Sequence, residues 1–253
     1  MTADVTPALP QTCYPSVWLW PGHALYAGPS LNPSPHSGSV WCLAVGIGGP
    51  LTVATADGVT RDVRSALIPP RLTHQLTCHG TGLVSCYLEP TSERADAGRH
   101  KFRQWQHLIG VGHVDEERLQ FAPVDDDSAS HWLDLAAPAT RRQIDARIAR
   151  AAARIRAELS AAIPIADLAA EAGLSESRFL HLFRDELGTS VRRYRLWVRL
   201  THAGAAIAAG DNLTTAAMKA GFASPSHLAD RFKSTFGLSA TQLLGTGLQL
   251  RTR

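Results

Sequence analysis

Apolar, small and capping residues follow a helical spacing in residues 165–175, which read Ile-Ala-Asp-Leu-Ala-Ala-Glu-Ala-Gly-Leu-Ser. Ile165 and Leu168, with the alanines that follow, form one apolar face of a short helix. Gly173 predicts the end of that helix, because glycine adopts the left-handed backbone without a Cβ penalty. Ser175 predicts the N-cap of a second helix. Two short helices joined by a glycine-led turn are the arrangement of a helix-turn-helix unit.

The same order of residues returns about 48 positions further along the chain. Asn212 or Thr214 is the predicted cap of the first helix, and Gly221 begins the turn. Ser224 or Pro225 is the predicted start of the second helix. The second unit has one more residue in its turn than the first. The chain therefore contains a repeated helix-turn-helix unit.

A long helix is predicted between the two units, over residues 194–209, and Gly210 ends it. A rigid helix of roughly 20 residues spans about 30 Å, whereas successive major grooves on one face of DNA lie about 34 Å apart. The spacing fits one chain that places a recognition helix in each of two adjacent grooves. The alternative, a helical bundle with chance glycines, is disfavoured by the matched caps and turns.

Residues 165–175 resemble the first motif of the AraC/XylS family of bacterial transcription regulators, and residues 179–190 continue it. Tyr194, with Arg199-Leu200 and Ala203 after it, is similar to the linker helix of that family. Residues 220–222 together with 231–239 resemble the second family signature. The resemblance covers about 100 residues and implies a sequence-specific DNA-binding domain at 150–250 that binds double-stranded DNA.

Three positions depart from the family pattern. Val191 and Ala240 stand where the family usually has a proline after each unit. Asp230 stands where an arginine is usual in the second unit. An aspartate would repel phosphate or accept a hydrogen bond from the amino group of cytosine, so the second unit is expected to contribute less to DNA binding than the first.

Helix geometry divides the exposed positions of the basic half into two groups of candidate DNA contacts. Residues in the N-terminal part of each recognition helix are candidates for base edges, and basic residues further along are candidates for phosphates. The alternative for each is an ordinary solvated surface position. The base candidates are Ser177, Arg178, His181, Ser226, His227 and Asp230. The phosphate candidates are Arg184, Arg192, Arg193, Arg195, Arg231 and Lys233.

The charges of the chain are divided unequally between its halves. Residues 1–139 hold 8 Lys and Arg against 13 Asp and Glu, whereas residues 140–253 hold 17 against 9. A basic half suits a polyanionic partner such as DNA. No apolar run approaches the roughly 18 residues of a membrane span, and the first ten residues lack the pattern of a secretory signal. We therefore expect a cytoplasmic protein without a membrane partner.

Short strands with Gly/Pro turns are predicted in the acidic half, between Val40 and Leu88. They indicate a small barrel or sandwich, and the family resemblance implies a cupin-like sensor domain at 1–135. Residues 101–109 have helical apolar spacing and predict a helix, and residues 140–253 predict helix almost throughout. The predicted fold is thus two-domain α+β: a small cupin-like β-barrel with trailing helices, a linker at 136–149, and an all-α domain of two helix-turn-helix units.

A small-molecule effector is the expected partner of the barrel, with RNA polymerase as a further candidate partner. A homodimer through the N-terminal half is a further expectation, since Trp105 and Leu108 would form either a dimer seam or a contact with the barrel. The candidates for the effector pocket are Trp41, His74, Cys86 and Tyr87.

Other functions for the acidic half remain open at this point. Cys42, Cys78 or Cys86 would serve a thiol- or metal-sensing regulator, although isolated cysteines, Cys13 included, are more often small buried hydrophobes. A cupin enzyme with a helical appendage would need a His-x-His pair, which the sequence lacks. A helical repeat that binds another protein is a third class. No catalytic residue, metal site or cofactor is predicted.

Overall fold

A computed structural model describes residues 15–140, 143–159 and 163–252 of the chain. The first described segment is mainly β-structure with two helices. Its strands are β1 (Ser16–Trp20), β2 (His23–Gly28), β3 (Trp41–Ile47), β4 (Leu51–Thr55), β5 (Thr60–Val63), β6 (Ser65–Ile68), β7 (His74–Cys78), β8 (Gly82–Leu88), β9 (Phe102–Gln106) and β10 (Ile109–His113). Helix α1 (Ala95–His100) precedes β9, and α2 (Asp126–Ala136) follows β10.

The remaining segments are helical except at the C-terminal end. The helices are α3 (Ala146–Ala157), α4 (Ile165–Glu171), α5 (Glu176–Leu187), α6 (Val191–Ala208), α7 (Leu213–Lys219), α8 (Pro225–Phe236) and α9 (Ala240–Leu244). They are followed by strand β11 (Gln249–Thr252). None of the helices in the described residues is long and apolar enough to cross a membrane.

The strands form two sheets that pack on each other. The larger sheet has the order β11-β1-β2-β8-β3-β6-β10-β9, and the smaller has the order β5-β4-β7. Ala44, Leu51 and Ile68 are fully buried in the apolar layer that includes side chains of both sheets. A second buried cluster contains Trp132 of helix α2 and Leu43 of the larger sheet. The two-domain α+β fold predicted from the sequence is therefore confirmed.

Local turn and cap signals fix several of these elements. Strands β4 and β5 form a hairpin with Gly58 in its turn at φ 81°. The acidic triplet at 125–127 begins helix α2, because the Asp125 side chain accepts a hydrogen bond from the Ser128 backbone N–H while Ser128 bonds back. Cys13 lies outside the described residues.

The prediction of a helix over residues 101–109 is wrong, because this stretch belongs to the β9–β10 hairpin. His107 has a positive φ of 54° in its turn. Strand β10 pairs with β6, where Gly110 lies opposite Leu67. This pairing with a distant strand overrides the helical spacing of the apolar residues, and it leaves Trp105 and Leu108 45% and 63% exposed.

The helix prediction also fails at the last described residues. Strand β11 pairs in parallel with β1, and Ser16 lies opposite Gln249. The Arg251 guanidinium lies over the Trp18 ring at 5.8 Å and 3.4 Å from the Asp126 carboxylate. The C-terminal end of the helical part is thereby joined to the edge of the N-terminal sheet.

Candidate nucleic-acid interface

The first helix-turn-helix unit is formed by α4 and α5. Gly173 occupies the turn with φ 65°, and the Ser175 hydroxyl accepts a hydrogen bond from the Arg178 backbone N–H at 3.4 Å. Phe179 and Phe183 are fully buried and pack α5 against the other helices. The inner face of α5 is thus fixed, and its outer face is left to solvent.

Four predicted contact residues share the outer face of α5. Ser177, Arg178, His181 and Arg184 are all exposed. Their spacing of one, three and three residues places them along one side of the helix. Within the described part of the chain, neither Arg178 nor Arg184 has an ion-pair partner. This face presents two free cations and two hydrogen-bonding side chains to a ligand.

The second unit is formed by α7 and α8. The Asn212 side chain accepts a hydrogen bond from the Thr215 N–H at 2.9 Å, and Ser224 accepts one from the His227 N–H at 3.1 Å. Gly221 has a φ of 75° in the turn, one residue longer than that of the first unit. Leu228 packs with Phe222, Phe232 and Phe236 on the inner side. Each of the two units therefore has its own caps and apolar cluster.

The outer face of α8 carries a different set of charges. Ser226, Asp230, Arg231 and Lys233 are exposed, and His227 is half-buried. The Arg231 Nε–H donates to the His227 Nε2 at 3.3 Å. The Nε2 atom of His227 accepts this hydrogen bond, and the bond holds the Arg231 side chain beside the imidazole ring. The structure thus places an anion, Asp230, among the exposed residues of the second recognition helix.

The arginines of the linker helix α6 differ in their surroundings. Arg192 is exposed, whereas Arg193 and Arg195 are half-buried. The Arg193 guanidinium lies 3.3 Å from the Ser37 hydroxyl, and that of Arg195 donates to the Ile163 carbonyl. Arg192 takes part in neither of these two contacts, so its guanidinium is the most accessible of the three phosphate candidates.

A cavity of about 140 Å³ lies between the larger sheet and the helices. The sheet contributes residues of β1, β2 and β8, and the helices contribute residues of α6, α8 and α9. Trp197, Thr201 and Phe236 line it on the helical side. Within the described residues, no Lys, Arg, Asp or Glu is part of this lining. The cavity is a second candidate site, chemically distinct from the basic outer faces.

Of the predicted pocket residues, Tyr87 lines this cavity and the other three lie elsewhere. Cys86 points to the apolar cluster shared with α2, because successive strand residues face opposite sides of a sheet. Trp41 meets Trp105 edge-on at 6.3 Å. His74 lies against His36, with ring centroids 4.4 Å apart.

The cavity also contains residues that the sequence did not single out, among them His36, Ser85 and Trp197. Ser85 could have been found from Tyr87, since the two lie two positions apart on one strand and so share a face. The position of Trp197 follows from the packing of α6 against the sheet, which no local signal contains.

The buried cysteines Cys42 and Cys86 are held in their thiol form. Burial raises the pKa of Cys42 to about 12, and burial also raises the pKa of Cys86. Cys78 donates a hydrogen bond from its Sγ to the Gly82 carbonyl at 2.9 Å. Since the thiolate is the reactive and metal-binding form, the two buried thiols are chemically inert in this arrangement.

Comparison with known proteins places these features in context. A family profile described as a helix-turn-helix domain matches residues 168–245. Apo ToxT from Vibrio cholerae is similar in structure with a TM-score of 0.59 and 12% identity, over 89% of this chain and 97% of that chain. ToxT with bound unsaturated fatty acid gives a TM-score of 0.56 and 13% identity, over 92% and 93%.

A probable AraC family transcriptional regulator from Rhodopseudomonas palustris is 25% identical over 40% of this chain and 98% of that chain, with a TM-score of 0.36. No curated protein matches the chain.

The capped helix-turn-helix pair lies within the matched region, so the C-terminal part of the chain contains a helix-turn-helix domain.

Proposed function

We propose that the chain binds a specific DNA sequence through two adjacent major grooves and responds to a small effector bound by its N-terminal part. The observation that carries the proposal is the pair of exposed recognition faces, on α5 and α8, joined by one continuous helix. Helix α6 has 18 residues, which corresponds to about 27 Å at the helical rise. This length suits two grooves on one face of DNA, about 34 Å apart.

The two recognition faces have different roles in this proposal. On α5, Ser177, Arg178 and His181 contact base edges, and Arg184 contacts phosphate. On α8, Asp230 accepts a hydrogen bond from a cytosine amino group, and no phosphate lies beside it. The first unit therefore supplies most of the affinity.

The remaining second-unit and linker contacts complete the interface. Ser226 and His227 face bases, whereas Arg231 and Lys233 face the backbone, as does Arg192 on α6. Arg193 and Arg195 are phosphate contacts only if DNA replaces their present carbonyl and hydroxyl partners.

Effector binding is proposed from the fold and the cavity together. A ToxT structure of the same fold holds an unsaturated fatty acid, and another holds a naphthalenyl-butenoic acid. The present chain has its own apolar cavity between the sheet and the helices. We place the effector there, with Tyr87 as the predicted residue in contact with it.

The proposed setting is the cytoplasm, where the regulator acts on DNA with RNA polymerase as a further partner. A homodimer would use the N-terminal half, where Trp105 and Leu108 are exposed on the β9–β10 hairpin. No catalytic role is proposed for the barrel.

Footprinting of the full chain on the DNA upstream of its own gene tests the proposal. We expect two protected segments about one helical turn apart, on one face of the duplex. The affinity should fall steeply as salt rises, because bound arginines release counterions. A double variant, Arg178→Ala with Arg184→Ala, should remove the protection, whereas Arg118→Ala on the N-terminal surface should not. A chain without salt-dependent DNA affinity would refute the proposal.

A further inference from the structure

The cavity between the sheet and the helices is apolar but contains a few polar atoms. Its volume of about 140 Å³ is close to that of engineered protein cavities that bind benzene. The described lining has no Lys, Arg, Asp or Glu side chain, and burial lowers the pKa of His36, so no side chain there carries a charge that could pair with a ligand. Burying an unpaired carboxylate or ammonium group is strongly unfavourable. A ligand of this cavity is therefore uncharged.

Ser85 is a buried polar residue of this lining. It is 3% exposed, and its hydroxyl forms no hydrogen bond with the described residues. Two other hydroxyls of the lining differ in this respect. Thr201 donates to the Val198 carbonyl at 2.9 Å, and Tyr26 donates to the Pro29 carbonyl at 2.6 Å. Since buried polar groups are almost always paired in native proteins, an unpaired hydroxyl in a cavity points to a ligand atom.

His36 offers a second polar contact in the same cavity. Its Nδ1 lies 2.9 Å from the Ser34 carbonyl, so this nitrogen carries the proton and donates it. In the neutral ring the Nε2 is then an acceptor. A ligand hydroxyl could donate to this nitrogen or bond to the Ser85 hydroxyl, whereas a plain hydrocarbon would satisfy neither.

We infer that this cavity binds an uncharged, mainly apolar molecule with one hydroxyl group, about the size of a single substituted aromatic ring, and that the hydroxyl bonds to Ser85 or His36. The inference rests on the proposed effector function and specifies the chemistry of the effector. The ligand would contact the sheet through Ser85 and Tyr87 and the helices through Trp197 and Phe236. Its binding therefore stabilises the packing of the second helix-turn-helix unit on the sheet.

A matched pair of probes tests this chemistry in the full chain. At pH 7, 4-ethylphenol is uncharged, because phenols ionise near pH 10, whereas 4-ethylbenzoate is an anion of similar shape. Calorimetric titration should show one saturable site for 4-ethylphenol and at least tenfold weaker binding of 4-ethylbenzoate. Equal or tighter binding of the benzoate, or no saturable binding of the phenol, would overturn the inference.

Two hydroxyl-deletion variants separate the proposed contact from a general loss of polarity. Ser85→Ala should weaken 4-ethylphenol binding about fivefold, the usual range for one neutral hydrogen bond. Thr201→Val removes a hydroxyl that is already paired within its own helix, and should change the affinity less than twofold. Equal effects of the two variants would contradict the assignment of Ser85. Thermal melting of each variant without probe checks that the fold is kept.

The DNA affinity of the same preparation, measured without probe, separates this inference from the proposed function. Loss of probe binding with DNA binding intact rejects the ligand chemistry alone. Absence of DNA binding rejects the proposed function whatever the probe does.

Discussion

The Glu89 carboxylate accepts a hydrogen bond from the Arg156 guanidinium at 2.8 Å, which joins the end of strand β8 to helix α3. The same carboxylate accepts a bond from the Tyr194 hydroxyl of α6 at 2.5 Å. The Glu89 side chain is 3% exposed, whereas that of Arg156 is 41% exposed. One buried carboxylate thus connects the sheet with two helices of the C-terminal part.

Replacing this anion should loosen the contact between the two parts of the chain. Glu89→Ala removes the acceptor of the buried Tyr194 hydroxyl and the carboxylate that pairs with the Arg156 guanidinium. We expect the free energy of unfolding to fall by about 2–4 kcal/mol, below the largest values for buried pairs because Arg156 is partly solvated. Chemical denaturation measures the loss. Lys219→Ala, which breaks a pair whose lysine is 62% exposed, should cost less than about 1 kcal/mol.

Two arginines should separate specific from general DNA binding. Arg178→Ala removes a predicted base contact on α5, and should cost about 1–3 kcal/mol and relax the preference at one base pair. Arg192→Ala removes a predicted phosphate contact, and should weaken all sequences alike while reducing the salt slope by about one. Competition binding with a set of mutated sites, at several salt concentrations, measures both. If both variants lose affinity equally on every sequence, the division into base and phosphate contacts is wrong.

Asp230 should have two opposite effects on DNA binding. Asp230→Ala removes a negative charge from the second recognition helix, so affinity for unrelated DNA should rise several-fold. Selection of cytosine at the base pair that it faces should be lost. Glu117→Ala removes an equal charge from the exposed surface of the N-terminal part, and serves as the control. A lower affinity for all DNA in the Asp230 variant would argue against this role.

The helix-turn-helix units could be predicted from sequence because their signals are local. The caps at Ser175 and Ser224 act on backbone groups three residues away, and the glycines at 173 and 221 act on their own φ angle. None of these contacts depends on a distant part of the chain. The positions of helices α4, α5, α7 and α8 can therefore be predicted without knowledge of the tertiary fold.

The hairpin, the last strand and the cavity depend on distant partners, and could not be read in this way. Strand β10 needs β6 beside it, and β11 needs β1 at the other end of the chain. The cavity needs the sheet and α6 to face each other, so Trp197 and Ser85 come together across more than 100 positions. Strand alternation does show that Ser85 and Tyr87 share a face, but not what that face meets.

Acidification should destabilise the fold through buried neutral histidines. Burial, with a smaller contribution from the neighbouring His36, lowers the pKa of His74 to about 4, and burial and Arg94 lower that of His23 to about 4. The unfolded chain, with a histidine pKa near 6.5, binds more protons than the folded chain between these values. Stability is therefore fully present above pH 6.5 and falls as the pH drops toward 4.

The expected loss is about 2 kcal/mol for each such histidine between pH 8 and pH 5, from the difference between the folded and unfolded pKa values. In His74→Leu the loss of unfolding free energy between pH 8 and pH 5 should be smaller by about 2 kcal/mol, because leucine has no group that can take up a proton. Urea unfolding at pH 8 and pH 5 measures it, with pH 8 as the baseline of each protein. An unchanged difference in the variant would show that His74 is not the group that couples stability to pH.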